Sequence, residues 1–207
     1  MKRLLPILLA CLLLLASCRD SKPATFALDE DGYGCTDLDT GIHYVALPLA
    51  FEPASVSAVK GTYTRENSSY TRTYYEIPGN DSALYLGDSE RGVWCAAPTV
   101  PDPKQLTPTA LLVCEELPAT SVEIYRFSAG ADDAVIARIL ALWFEGEAVE
   151  RPEGARDLSR RIKMKSTQLV NIYYCFEYFT QGENAYFYDV YTKRTVAVPA
   201  DLAEYFS

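Results

Sequence analysis

Asp39-Thr40-Gly41 is a tripeptide in this 207-residue chain that could do acid–base chemistry. Its aspartate would serve as a general base only if a second carboxylate shared its proton, so that one is ionised while the other stays protonated. One copy is present, which would require a homodimer; the expected role is a turn leading into a strand from Ile42. Just upstream, Asp29, Asp31 and Gly34 fall at positions 1, 3 and 6 of a calcium loop. Position 5 is Tyr33 and position 12, where a bidentate glutamate is needed, is Thr40. A looser calcium site from Asp29, Asp31, Asp37 and Asp39 competes with a solvated acidic segment, and the segment is the expectation. No metal is expected. His43, the single histidine, cannot build a two- or three-histidine zinc site, and no Gly-x-Ser-x-Gly elbow exists for it to serve. Phosphate-cradling glycine loops are absent, so no cofactor is expected.

Thiols and phenols are the remaining reactive groups. Cys35, Cys95, Cys114 and Cys175 are candidate disulfide partners. Four cysteines allow three connectivities, of which Cys95–Cys114 with Cys35–Cys175 is favoured; four buried thiols are the alternative. No Cys-x-x-Cys occurs, which argues against a thiol oxidoreductase. Of fifteen tyrosines, six lie between Tyr173 and Tyr191, interleaved with Phe176, Phe179 and Phe187. Along Leu169–Phe179 both faces of an extended strand would be apolar or aromatic. A central strand buried on both faces explains that pattern. If one face were left open, Tyr173, Tyr174, Tyr178, Tyr186 and Tyr188 would form a surface for a glycan or a protein partner.

The elements that must position these residues are mostly strands. Ile42–Leu49, Ser57–Arg65, Thr71–Ile77, Ala110–Glu115 and Val122–Phe127 are rich in β-branched and aromatic residues between turn clusters. Gly87–Gly92 and Thr180–Asn184 read as hairpin loops, and Thr195–Val198 as a further strand. Pro98, Pro101, Pro103 and Pro108 mark an irregular connection. One helix stands out at about 132–144: Asp132 and Asp133 open it, Gly146 follows it, and Val135, Ile136, Ile139, Leu140, Leu142 and Trp143 cover more than one face, which predicts burial against a sheet. Asp201 begins a short C-terminal helix. The expected class is α+β, a mainly antiparallel sheet of hairpins with one buried helix and a short C-terminal one.

The N-terminus carries the most specific pattern. Lys2 and Arg3 precede an apolar run from Leu4 to Ala16, thirteen residues, too short for a bilayer core that needs about 20. Leu15-Ala16-Ser17-Cys18 closes it, with a branched residue at −3, small residues at −2 and −1, and cysteine at +1. This arrangement resembles the signal peptide and lipobox of bacterial lipoprotein precursors. The resemblance covers residues 1–18 and implies cleavage after Ser17 and diacylglyceryl attachment to the Cys18 sulfur. It implies an extracytoplasmic protein held on the cell membrane or the outer membrane through its lipid. The organisation that follows is a signal peptide over 1–17, a lipidated flexible tether over 18–34, and a single α+β domain over 35–207. A tether of about fifteen residues would let the domain stand roughly 20 Å from the membrane.

Charge narrows the partners. The segment 1–17 carries two bases and no acid, so the remainder has seventeen bases against 28 acids, a formal charge of −11. Nucleic-acid affinity rests on neutralising phosphates, so no nucleic acid is expected as partner. Such a chain gains no electrostatic attraction to anionic lipid, leaving the acyl anchor to supply the membrane affinity. The expectation is a membrane-anchored exported protein with a non-catalytic binding or envelope-associated domain; a hydrolase acting on envelope or extracellular polymers is the alternative.

Overall fold

Side chains that alternate between two environments build most of this molecule, because successive residues of a strand point to opposite faces. The structure, a computed structural model, describes residues 23–51, 58–90, 92–96, 101–117, 121–190 and 192–206. Residues 1–22, Cys18 among them, lie outside these, as do Pro98 and Tyr191.

Seven strands close on themselves: β1 (Ala24–Leu28), β2 (Gly34–Asp37), β3 (His43–Phe51), β4 (Val59–Thr64), β5 (Thr71–Glu76), β6 (Tyr85–Asp88) and β7 (Gly92–Ala96). Around the ring the order is β2-β1-β4-β5-β6-β7-β3, with β3 returning to β2; β1–β4 is parallel and the other pairings are antiparallel. Phe26, Tyr44, Tyr74 and Trp94 fill the interior with Ala24, Cys35, Leu86 and Ala96. The rings of Phe26 and Tyr74 lie 4.4 Å apart, and Trp94 meets Tyr74 edge-on at 5.7 Å. Small barrels fill with side chains in this way, so this interior is a core rather than a lumen.

The second half is an antiparallel sheet that shares β3 with the barrel. Its strands are β8 (Pro108–Glu116), β9 (Ser121–Ser128), β10 (Leu158–Ser166), β11 (Ile172–Gln181), β12 (Asn184–Tyr188) and β13 (Thr195–Val198), in the order β13-β12-β11-β10-β8-β9. Helix α1 (Asp133–Glu145) lies on one face, and α2 (Ala200–Ala203) with a final 3₁₀ turn closes the edge through Leu202 and Phe206. Trp143 stacks on Phe176 at 4.8 Å with the rings 6° from parallel, and its indole N–H donates to Tyr174 Oη at 3.1 Å. Arg194 holds the C-terminal end of α1, donating to the carbonyls of Trp143 and Gly146.

Three expectations are corrected. The class is not α+β: half of the described residues are strand, the chain closes a barrel, and helix is limited to α1 and the four-residue α2. Nor is the long helix buried. It buries Ile136, Ile139 and Trp143 only, with Ala134, Ala137, Arg138 and Ala141 exposed, because one sheet face covers one stripe and nothing covers the other. The tether assigned to 18–34 also shortens. Ala24–Leu28 is a barrel strand with Ala24 and Phe26 buried, and Asp29–Tyr33 is the hairpin turn into β2. Its acids read as solvated linker in the sequence, but they are the tip of a hairpin whose strands carry the core residues.

Candidate functional site

The tyrosine strip was the leading candidate for a binding surface, and the structure buries it. Tyr174, Tyr178 and Tyr188 are buried, while Tyr173 and Tyr186 are partly buried. Tyr174 and Phe176 pack against Phe144 and Trp143 of α1, and Tyr178 stacks on Phe206 beside α2. On the other face the loop before β10 supplies a lid of arginines: Arg156 lies over the Phe179 ring at 4.5 Å and Arg151 over Tyr188 at 4.3 Å. Guanidinium groups cover aromatic faces well because the ring quadrupole attracts the cation. These arginines belong to a run the sequence reading passed over. Arg151, Arg156, Arg160, Arg161, Lys163 and Lys165 place six bases within fifteen residues of an acidic chain.

The favoured disulfides are not formed. Cys35, Cys95, Cys114 and Cys175 are all thiols. From Cys95 on β7 to Cys114 on β8 the sheet passes through β3, β11 and β10. Four strand spacings amount to about 19 Å, far beyond the roughly 7 Å limit between bridged Cα atoms. Cys35 faces Tyr44 across β2–β3, whereas Cys175 follows Tyr174, which pairs with Leu49 at the other end of β3. Burial pushes the Cys35 and Cys175 thiols up to about 12, so neither is a nucleophile at neutral pH.

The acidic candidates resolve into turns. Asp37 is buried, and its Oδ1 accepts the amides of Asp39 and Thr40, which makes Asp39-Thr40-Gly41 the β2–β3 hairpin turn with Gly41 at φ +75°. Asp31 caps the β1–β2 turn through the Tyr33 amide, and Asp29 pairs with His43 Nε2 at 2.8 Å. Among the described residues no group of three or more His, Cys, Asp or Glu is placed to hold a metal ion.

A cleft does open where barrel and sheet fork. β11 pairs with β3 through Ile172–Tyr174 and with β12 from Glu177 onward, so Cys175 and Phe176 sit between two diverging partners. The residue that would face Cys175 is Pro48, which has no N–H to donate, and β3 is irregular between Leu47 and Ala50. The resulting space of about 140 Å³ is lined by apolar Leu49, Ala50 and Phe176 and by Glu90, Arg161, Glu177 and Asp189. Each of its carboxylates is already held. Glu90 accepts Tyr70 Oη at 2.6 Å and Arg72 at 2.8 Å, Glu177 accepts Arg156 at 2.7 Å, and Asp189 accepts the Thr192 amide. General-base work needs a carboxylate within reach of a substrate proton, and each of these already holds at least one hydrogen bond of the fold.

β9 is built differently. It pairs with β8 alone, so the hydrogen-bonding edge on its other side is unpaired by any described strand. Leu117, Val122, Ile124, Tyr125 and Tyr205 are exposed on or beside it, Tyr125 by 51%. Tyr125 and Tyr205 both pack edge-on against buried Phe127, at 4.9 and 5.6 Å, which holds the two rings in place. A bulge between Val113 and Cys114 on β8 leaves Ile124 without an opposite residue and brings Glu123 and Arg126 together in a bidentate pair at 2.7–2.8 Å. Bulges and charges on an edge suppress unselective pairing.

Comparison with protein-family models, with curated proteins and with solved structures finds no match for this chain.

Proposed function

We propose that this chain is an exported lipoprotein, acylated at Cys18, whose folded domain is a binding module that takes an extended polypeptide segment of a partner protein onto β9. The anchor rests on the lipobox residues Leu15, Ala16, Ser17 and Cys18. Binding rests on one observation, the eight-residue edge strand with Val122, Ile124 and Tyr125 exposed. Strand addition to such an edge draws affinity from main-chain hydrogen bonds and specificity from alternate side chains.

In-cell photocrosslinking tests it. A photoreactive phenylalanine analogue at position 125 should yield a discrete protein adduct that is absent when the probe is at exposed Ala137 on α1. Val122→Lys should reduce the adduct at least fivefold without changing the melting temperature. Equal labelling at 125 and 137, or hydrolysis of envelope polymer by the purified protein with no adduct at 125, would overturn the binding reading. Intact mass of the same protein should show a diacylglyceryl group on an N-terminal Cys18.

A further inference from the structure

The short connection between Cys18 and the barrel bears on which surface would meet a membrane. β1 begins at Ala24, six residues after the lipobox cysteine, and a fully extended chain spans at most about 3.5 Å per residue. If Cys18 carries the lipid, as proposed above, the root of β1 stays within about 20 Å of the acyl anchor, whatever path residues 19–22 take. β1 itself has five residues and spans roughly 17 Å between that root and the opposite end of the barrel. The end that carries the root therefore reaches the bilayer with slack, whereas turning the opposite end toward it would take nearly the whole extended length of the leash.

Around that root two aliphatic side chains are exposed, with the carboxylate of Asp39 beside them. β2 runs antiparallel to β1 and ends beside its start, where the Leu38 amide donates to the Thr25 carbonyl at 2.9 Å. β4 runs parallel to β1 with Gly61 opposite Ala24, so Val59 lies beyond the root on the other side. Leu38 and Val59 thus flank β1 on neighbouring strands, offset along its direction. They are 59% and 50% exposed, and Lys60 follows Val59. The other end of the barrel carries Asp29, Glu30 and Asp31 in the β1–β2 turn, with Tyr33 and Tyr70.

We infer that the lipid-anchored protein rests on the bilayer through this end of the barrel, with Leu38 and Val59 at the level of the lipid headgroups. Two aliphatic side chains do not recruit an acidic protein from solution. Once the acyl chains hold Cys18, however, the contact is intramolecular and the leash supplies a high effective concentration. β9, separated from the barrel in the sheet order by β8, β10 and β11, then stays clear of the surface and open to a partner.

Depth-dependent quenching tests the orientation. The acylated full chain is reconstituted into phosphatidylethanolamine–phosphatidylglycerol vesicles whose acyl chains are brominated. An environment-sensitive fluorophore is placed through Leu38→Cys or Val59→Cys at one end, or Tyr33→Cys or Tyr70→Cys at the other. Unsubstituted protein reports background labelling of the native thiols. Brominated lipid should quench the fluorophore at 38 and at 59 at least twofold more than at 33 and 70. Equal quenching at the two ends, or stronger quenching at 33 and 70, would sink the orientation while leaving the anchor intact. An intact mass without the diacylglyceryl group would sink both together.

Discussion

Asp88 shows how much a single carboxylate contributes when it is buried and fully used. Its Oδ1 accepts the amides of Glu90 and Gly92, each at 2.8 Å, and its Oδ2 accepts the indole N–H of Trp94 at 2.9 Å. It therefore shapes the β6–β7 turn and orients a ring of the barrel core at once. Asp88→Ala should cost about 2–3 kcal/mol, because truncation leaves buried donors without an acceptor. Urea denaturation should show a lower midpoint at unchanged slope; an unshifted midpoint would mean that water replaces the carboxylate. Residue type alone could not reveal this role. Asp88 sits in an acidic hairpin loop that reads as surface, and only the approach of Trp94 from β7 makes it a core residue. The opposite holds for Asp39, whose motif suggested catalysis and whose place is a solvent-exposed turn.

At the scale of elements, local chemistry marked out most of the strands. β-branched and aromatic runs bounded by turn residues produced β3, β4, β5, β8, β9, β11 and β13 close to their observed spans. Three strands were missed, for physical reasons that differ. β1 and β2 are short and flank an acidic turn, so composition resembled a linker. β10, Leu-Ser-Arg-Arg-Ile-Lys-Met-Lys-Ser, hides its apolar face among bases; Ile162 and Met164 face α1 while Lys163 on the other face is buried with its ammonium on Ser121 Oγ at 2.7 Å. The long helix was located correctly but over-buried, since its apolar residues outnumber the places the sheet provides. Trp143 occupies the best of those places, against Phe176 and Phe187. Trp143→Ala should lower stability by about 3–5 kcal/mol, as expected for an aromatic cavity in a core. Exposed Ala141→Ser on the same helix should shift the melting temperature by no more than a degree or two, and an equal loss at both positions would mean that α1 is not docked as described.

For the whole molecule, burial is spread over both halves, and that sets its response to alkali. Cys35 and Tyr44 in the barrel, and Tyr174 and Cys175 in the sheet, are each pushed up to about 12 by burial, from ordinary values of 9.0 for the thiols and 10.0 for the phenols. The folded state keeps these protons at pH values where the unfolded chain has lost them. Their contribution to stability is therefore complete below pH 9 and is lost as pH rises from 9 toward 12. Guanidinium midpoints followed by circular dichroism should be level from pH 7 to 8.5 and fall steadily above pH 9. A midpoint constant to pH 11 would show that these groups are not buried together in one folded state.

Pattern and composition were legible in the chain itself. The lipobox pattern, the acidic charge, the strand-rich composition and the position of the helix all depend on neighbours in sequence, and local order is enough to read them. Closure of the barrel, the arginine lid over the tyrosines, the separation of the four thiols and the single-sided pairing of β9 depend on which strands lie side by side. Strand pairing is a contest among distant segments with similar local preferences, settled by register and by what each face must bury. That contest turned the aromatic strip into core and left an edge strand as the surface that remains open.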